Sequence, residues 1–447
     1  MARELTKQEL LAKAEKPGKD ALRLHPFYRG KIETMPKCVV RGLSDFSIWY
    51  SPGVARACLA IKEDPQQVYE LTCKWNTVAV VSDGTRVLGL GDIGPEAGMP
   101  VMEGKALLFK YLGGVDAVPI CLDTKDPEKI IETVKLLQPS FGGINLEDIA
   151  SPKCFTILDR LRKEMSIPVW HDDQQGTAAI TLAGLINALK LVDKDIAKVR
   201  VTMVGAGAAS IAISRLLLSA GVNPETMIMA DYYGILYPGR DNLPSQYQVH
   251  MAEITNKENR RGGVPEAIKG ADVVIAVSHP GPGTIKKEWL ATMASDAILF
   301  SCANPIPEIW PWEAKEAGVR IVGTGRSDFP NQVNNSLGFP GIFRGALDVR
   351  AKTITDEMCI AAAEEMAACA QEKGLTDEYI VPTMDEWELF PREAAAVGLK
   401  AIEQGIARVE LTREQLLANA SRLIKRVQDT TKLLMEKGII PPAPEEE

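Results

Sequence analysis

Two series of alternating apolar runs and helical patterns constrain the fold of this chain more than any other feature. The first series covers residues 77–170, and the second begins near residue 199. Strands that alternate with helices form parallel sheets, because each helix returns the chain to the same edge before the next strand starts. The sequence therefore predicts an α/β protein with helices packed on its sheets.

The two series and the helical patterns around them divide the chain into three parts. Strand-like runs start the segments 77–84, 117–123, 141–148, 167–173, 199–207, 226–234, 271–278, 297–305 and 319–325. Helical patterns cover 100–112, 127–137, 152–164, 176–191, 209–221, 356–374, 392–410 and 413–438. We predict an N-terminal α/β catalytic domain over residues 1–170, a Rossmann-type domain over 171–400 and a C-terminal helical extension over 401–447.

Length and composition set the class of protein. A chain of 447 residues exceeds the size of one hydrophobic core, so at least two domains are expected. The net charge of -8 argues against general binding to nucleic acid or to anionic membranes. Neither a signal peptide nor a stretch long enough to span a bilayer is visible, which predicts a cytoplasmic protein. The eight cysteines are expected to be packing thiols, and the four histidines are too scattered for a histidine-rich metal site.

A glycine turn opens the second series. It follows a strand and starts a helix, which is the context of a dinucleotide-binding fingerprint, and it consists of Gly205, Ala206, Gly207, Ala208, Ala209 and Ser210. Gly205 is expected to form the tight turn, and Gly207 to let backbone N–H groups reach a pyrophosphate. Ser210 departs from the usual Gly or Ala, although it is small enough for close helix packing. The segment predicts a nicotinamide dinucleotide site.

The acid at the end of the next strand bears on the choice of cofactor. Asp231 lies where a carboxylate hydrogen-bonds the adenine ribose of NAD, and Tyr232 and Tyr233 supply no cation for a 2′-phosphate. These residues favour NAD. NADP stays open as the alternative, because Arg240 could turn toward a 2′-phosphate.

Two acidic pairs end neighbouring strand-like runs of the first series. Glu147 and Asp148 end one run, and Asp172 and Asp173 end the next. Ligands of open α/β sheets bind at the carboxyl ends of strands, where four carboxylates would repel one another without a cation. Oxygen ligands favour Mg²⁺ or Mn²⁺. Spacing alone is equally compatible with two helix caps, which are a common use of such acids.

Two basic residues lie in glycine-rich surroundings of the same series. Arg86 could hold a carboxylate through two parallel hydrogen bonds. Lys105 has mainly small or apolar sequence neighbours, so a lowered pKa suited to a general base is expected for it. Taken singly, the two residues are also compatible with a surface arginine and an ordinary helix lysine.

Taken together, these segments resemble the malic enzyme family in its short prokaryotic form, without a fused phosphotransacetylase-like domain. The resemblance extends over residues 30–400 and rests on GKIETMPKC, WYSPGVA, SDGTRVLGLGDIGPEAGMPVMEGKALLFK, GGINLEDI, HDDQQGTA, VGAGAAS, SCANPIPE and QVNNSLGFPG. Eight matches in one order make it specific. It implies an enzyme that decarboxylates L-malate oxidatively to pyruvate while it reduces NAD or NADP.

The resemblance also implies a role for each site residue. Tyr50 corresponds to the acid that protonates the enol product and Lys105 to the base at the C2 hydroxyl, with Asp172 orienting the lysine or a water. Glu147, Asp148 and Asp173 correspond to the metal ligands. Arg86 corresponds to the residue that binds a malate carboxylate, and Asn304 and Asn335 to amides near substrate and nicotinamide, although Asn335 also suits a turn.

Two other functions are compatible with the same scaffold. One is a malolactic or oxaloacetate-decarboxylating enzyme that uses the same metal and cofactor. The other is a nucleotide-binding protein without catalysis, which is disfavoured because Tyr50, Lys105 and all four acids occur together. The resemblance further implies a homodimer or larger homo-oligomer, with site residues that could cross between subunits.

Overall fold

The computed structural model describes residues 7–445 and begins with four helices that the strand–helix alternation did not predict. They are α1 (Lys7–Tyr28), α2 (Leu43–Trp49), α3 (Val54–Glu63) and α4 (Val68–Leu71). Many apolar side chains in this region are exposed, including Leu43 at 83% and Tyr50 at 75%. The segment therefore has a large apolar surface that the other described residues do not cover.

The first series forms a four-stranded parallel sheet in the order β2-β1-β3-β4. In chain order its elements are β1 (Thr77–Ser82), α5 (Pro95–Gly113), β2 (Asp116–Cys121), α6 (Pro127–Leu137), β3 (Gly143–Leu146), α7 (Lys153–Glu164) and β4 (Val169–His171). The predicted alternation is confirmed. Helix α5 begins earlier than predicted, because Pro95 suits the first turn of a helix.

A π-helical turn, Asp172–Gly176, follows β4 and leads into α8 (Thr177–Leu191). Helix α8 is buried along most of its length and reaches the second sheet, where Gly184 lies against the ring of Phe300. A Cβ atom at Gly184 would lie 3.3 Å from that ring. The turn and α8 thus connect the carboxyl edge of the first sheet to the core of the second.

The second series forms a six-stranded sheet in the order β10-β9-β8-β5-β6-β7. Its elements are β5 (Val201–Val204), α9 (Ala208–Ser219), β6 (Met227–Asp231), β7 (Gly234–Ile235), α10 (Gln246–Ile254), α11 (Val264–Ile268), β8 (Val273–Ala276), α12 (Lys287–Leu290), β9 (Ile298–Ser301), α13 (Pro311–Glu316) and β10 (Ile321–Thr324). This is the doubly wound order of a Rossmann fold, except that the short β7 runs antiparallel to β6. The prediction of a Rossmann-type sheet is confirmed.

Four helices complete the chain: α14 (Phe339–Asp348), α15 (Asp356–Lys373), α16 (Leu389–Glu403) and α17 (Arg413–Glu436). They pack back on the first sheet's domain. A Cβ atom at Gly113 would lie 2.7 Å from the carbonyl oxygen of Pro340, and one at Gly114 would lie 3.0 Å from Cβ of Leu423. The domain limits at residues 170 and 400 stay a prediction, and α16 runs across the second of them.

The expectations about the cysteines and about membrane-spanning segments can be compared with this fold. All eight cysteines are free, but Cys38, Cys58 and Cys73 are exposed, so the expectation of packing thiols is wrong for these three. They lie on or beside the N-terminal helices whose apolar side chains are uncovered. Within residues 7–445, no helix combines the length and the apolar character that a bilayer span requires.

Candidate active site

The two acidic pairs meet at the carboxyl edge of the first sheet. Strands β3 and β4 are parallel neighbours, with Leu146 opposite His171, so the residues that follow them emerge side by side. One carboxylate oxygen each from Glu147, Asp148 and Asp173 lies within 4.8 Å of the others. Glu147 and Asp148 are only 3% exposed. The register of one strand pair thus creates the acidic cluster.

Backbone hydrogen bonds fix Asp148 in this cluster. Its φ of 55° places it in the left-handed region, which is uncommon for a residue with a side chain. Its N–H donates to Oδ2 of Asp173 at 2.8 Å, and its carbonyl oxygen accepts the N–H of Arg86 at 2.9 Å. The strained conformation therefore links both acidic pairs to the loop after β1.

The cluster has the chemistry of a site for a hard divalent cation. All three groups offer oxygen. Oδ2 of Asp148 is buried and has no hydrogen-bond partner within the part of the chain that the structure describes, although a buried polar atom normally has one. Neither α7 nor α8 has a side-chain cap, so the alternative that these acids cap the two helices is wrong. Glu147, Asp148 and Asp173 therefore fit Mg²⁺ or Mn²⁺.

Lys105 of α5 points into the same cluster. Its Nζ donates to Oδ2 of Asp172 at 2.6 Å, lies 3.1 Å from Oε1 of Glu147 and stands 4.5 Å from the ring centre of Phe339. Burial by itself lowers the pKa of Lys105, but the carboxylates of Asp172 and Glu147 outweigh burial and raise it. The expectation of a lowered pKa is wrong in this arrangement, because it considered only sequence neighbours.

Burial raises the pKa of the carboxyl groups that surround the lysine. Mutual repulsion adds to this effect at Glu147 and Asp148, whose pKa values lie well above the ordinary range. Burial also raises the pKa of Asp172, although Lys105 partly opposes the rise. A divalent cation would relieve the repulsion that these groups exert on one another.

The glycine turn has the geometry of a dinucleotide site. Gly205 has a φ of +116°, and a Cβ atom there would lie 2.7 Å from the carbonyl oxygen of Val277, so only glycine fits. A Cβ atom at Gly207 would meet nothing within 4 Å, which leaves open space above the start of α9. Ser210 is fully buried against the sheet. The turn therefore fits a pyrophosphate at the helix N-terminus.

Loops of the two sheets approach each other between these two sites. A Cβ atom at Gly89 would lie 2.2 Å from the carbonyl oxygen of Asn304 and 2.5 Å from Cγ of Pro280. Asn335 lies on the other side, since a Cβ atom at Gly176 would lie 3.1 Å from its Cβ. The loop after β1 thus contacts the segment that carries Asn304, and the π-helical turn that carries Asp173 contacts Asn335.

Comparison with known proteins identifies the family. The model of the malic enzyme N-terminal domain matches residues 29–162, and that of the malic enzyme NAD-binding domain matches residues 174–406. The chain belongs to the malic enzyme family. The predicted resemblance is thereby confirmed.

Individual relatives agree with this assignment. The chain is 52% identical to the bifunctional malic/malolactic enzyme of Bacillus subtilis, over 90% of this chain and 98% of that protein. It is 54% identical to the NAD-dependent malic enzyme of Geobacillus stearothermophilus, over 85% and 78%. The crystal structure of Entamoeba histolytica malic enzyme superposes with a TM-score of 0.95 at 48% identity, over 99% of this chain and 93% of that one.

Two predicted residues of this malic enzyme stand apart from the buried cluster. Tyr50 follows α2 and is 75% exposed. The side chain of Arg86 is exposed beside the cluster, where its charge lowers the pKa of Asp148 while burial and Asp173 raise it. The guanidinium of Arg86 therefore remains accessible beside the acids, whereas Tyr50 is largely uncovered by the described residues of its own chain.

Sequence reasoning missed the residues that hold the acids in place. Asn145 donates to Oε2 of Glu147 at 2.8 Å, and the indole N–H of Trp170 donates to Oδ1 of Asp172 at 3.1 Å. Each lies two residues before the acid it binds, and residues two apart share one face of a strand. That spacing was a signal that could have identified them.

Glu308 was also missed. Its buried carboxylate accepts hydrogen bonds from the N–H of Ser278 at 2.8 Å, the hydroxyl of Ser301 at 2.8 Å and the N–H of Ala303 at 3.1 Å. Ser278 follows β8, Ser301 ends β9, and Ala303 directly precedes Asn304. The sequence signal that could have identified Glu308 is its position as the one acid in the apolar run after Asn304. Glu308 thus fixes the backbone segment that leads into Asn304.

Proposed function

We propose that the protein oxidises L-malate to pyruvate and CO₂ with reduction of a nicotinamide dinucleotide, in a reaction that depends on Mg²⁺ or Mn²⁺. One observation carries the proposal: the buried Lys105–Asp172 pair lies beside the three converging carboxylates, in a chain whose second sheet carries the glycine turn. A bound cation supplies Lewis acidity in this reaction, and a bound nicotinamide ring supplies the hydride acceptor.

The chain's own residues would divide the remaining work. Lys105 would accept the proton of the C2 hydroxyl as a neutral amine, which requires that a bound cation compensate the carboxylates that raise its pKa. Asp172 would keep this amine oriented through the 2.6 Å hydrogen bond. Arg86 binds a malate carboxylate with its guanidinium. Asn304 and Asn335 fix orientation without adding charge to an already acidic site. After CO₂ leaves, Tyr50 donates a proton to C3 of the enolate.

The exposed position of Tyr50 supports a homodimer. Leu43, Phe46, Ile48, Trp49 and Tyr50 are between 49% and 83% exposed on one short segment. Monomeric soluble proteins rarely leave such contiguous apolar surface uncovered. A second copy of the chain is the proposed occupant, and Tyr50 would then complete the site of the partner subunit.

Replacing Phe46 by Glu is expected to convert the dimer to monomers, because the interface would bury an unpaired charge. Light scattering after size-exclusion chromatography measures the mass. Leu136→Glu is the control, since Leu136 is 81% exposed on α6 and outside this segment. A Phe46→Glu protein that remains dimeric, with full malate turnover, would argue against the interface.

The proposed compartment is the cytoplasm, because all eight cysteines are free, as in reducing compartments. The expectation that neither nucleic acid nor membranes bind stays a prediction from the net charge.

One assay tests the activity and its alternative. Purified protein is mixed with L-malate, Mn²⁺ and either NAD or NADP, and reduced nicotinamide is followed together with pyruvate and lactate. Equal amounts of pyruvate and reduced cofactor support the proposal. Lactate without net reduced cofactor supports a malolactic activity, which the name of the Bacillus subtilis relative favours as the second candidate. Absence of any product would contradict both.

A further inference from the structure

The carboxylate expected at the adenine ribose is held by a buried arginine. Asp231 ends β6, directly after Ala230, whose carbonyl oxygen accepts the N–H of Gly205 at 2.8 Å. Nη1 of Arg240 donates to Oδ1 of Asp231 at 2.9 Å, and Nη2 donates to Oδ2. The guanidinium thus binds the carboxylate in the two-pronged geometry that gives the strongest arginine–carboxylate pairs.

Arg240 has no spare donor with which to meet a phosphate. Besides Asp231, its Nη1 donates to the carbonyl oxygen of Gly234 at 2.9 Å, and its Nη2 to that of Asn242 at 3.3 Å. A guanidinium has five N–H groups, so only Nε–H is left, and Nε is buried. The side chain of Arg240 is 5% exposed. A turn toward a 2′-phosphate would break all of these hydrogen bonds.

Asp231 retains one acceptor position. Its Oδ1 accepts the N–H of Tyr233 at 2.8 Å in addition to Arg240, whereas among residues 7–445 Oδ2 accepts only from Arg240. A carboxylate oxygen has two acceptor positions, so Oδ2 can still accept a hydroxyl. A 2′-phosphate offers acceptors and negative charge instead, and the flanking Tyr232 and Tyr233, 96% and 69% exposed, supply no cation.

We propose that Arg240 is a specificity-determining positioning residue: it fixes Asp231 so that Oδ2 accepts a ribose hydroxyl, and the enzyme therefore binds NAD in preference to NADP. This resolves the choice that Asp231 and Arg240 leave open at the sequence level. The inference rests on the proposed function only in requiring a nicotinamide dinucleotide. Binding of the reduced cofactors without malate or metal tests it separately from catalysis.

The experiment measures Kd for NADH and NADPH by calorimetry on wild-type protein and three variants. Wild-type protein should bind NADH at least about tenfold more tightly than NADPH. Arg240→Gln should weaken NADH binding about tenfold and leave NADPH binding unchanged or tighter, because Asp231 loses its fixed orientation. Asp231→Asn should improve NADPH binding relative to NADH, since the repelling charge is gone.

Arg261→Gln is the matched control, because it removes a neighbouring charge that stacks on Tyr237 without touching Asp231. The ratio of its Kd for NADH to its Kd for NADPH should equal that of wild-type protein. Tighter binding of NADPH than NADH by wild-type protein would overturn the proposal. Selective loss of NADPH binding in Arg240→Gln would also overturn it, because Arg240 would then be a phosphate ligand. Should Arg240→Gln fail to fold, Arg240→Lys tests the same role, because it keeps the charge and loses the two-pronged geometry. Unchanged Kd for NADH in the folded Arg240 variant would also overturn the proposal.

Discussion

Replacement of Lys105 by Ala is expected to reduce kcat for malate oxidation by about 10²- to 10⁴-fold, the usual contribution of a positioned acid or base. The amine is 2.6 Å from Oδ2 of Asp172 and 3.1 Å from Oε1 of Glu147. Among the described residues, no other basic side chain forms an ion pair with these two acids. Stopped-flow and steady-state assays with Mn²⁺, malate and NAD would measure the loss.

Folding must be separated from catalysis in this experiment, because removal of a buried cation leaves two acids without their partner. Lys105→Met preserves much of the side-chain volume, and saturating Mn²⁺ supplies compensating charge. Lys110→Ala is the control on the same helix, since Lys110 pairs with the partly exposed Asp116. A Lys105→Ala protein with native circular dichroism and unchanged kcat would contradict the assignment of Lys105 as the base.

The sheets were predictable because their strands are short, apolar and separated by clear helical patterns. Strands buried on both faces read as continuous apolar runs, as at Val78–Val81, which are all 0% exposed. The carboxyl ends of such strands lie at one edge, so convergence of Glu147 and Asp173 was one of the two arrangements that the spacing allowed, and the family resemblance favoured it. Their convergence required only the parallel order of β3 and β4.

The N-terminal helices were not predictable by the same reasoning. Helix α1 contains Pro17 and Pro26, which weaken a helical pattern. The segment around α2 directs its apolar side chains outward, so the one-sided periodicity that marks a helix packed on its own core is missing. If this segment covers a second subunit, as proposed, its own sequence contains no pattern that identifies that surface.

Contacts between distant residues explain why the electrostatics of the site could not be predicted. Lys105 has small and apolar sequence neighbours, but the acids that raise its pKa lie 42 and 67 residues further along the chain. Arg240 likewise meets Asp231 only because β7 folds back on β6. Sequence patterns predict which groups reach an edge, whereas their pairing depends on how loops close.

Replacement of Asp173 by Asn is expected to raise the Mn²⁺ concentration required for half-maximal activity by about 100-fold or more, since loss of a ligand should exceed the effect typical of residues behind the ligands. Asparagine keeps the shape of Asp173, and its amide oxygen can still accept the N–H of Asp148 that Oδ2 accepts at 2.8 Å. Charge is therefore the main property that changes. Activity titrations with Mn²⁺, and Mn²⁺ binding followed by electron paramagnetic resonance, would measure the shift.

Asp123→Asn provides the matched control, because Asp123 is exposed just after β2 in the same sheet. Its Mn²⁺ titration should match that of wild-type protein. If Asp173 only stabilised the π-helical turn, Asp173→Asn would lower the melting temperature and leave the Mn²⁺ titration unchanged. That result would show that Asp173 is not a metal ligand, and the proposed site would then have only two of its three carboxylates. A weaker Mn²⁺ interaction at an unchanged melting temperature has no explanation in local turn stability and requires a cation between the ends of β3 and β4.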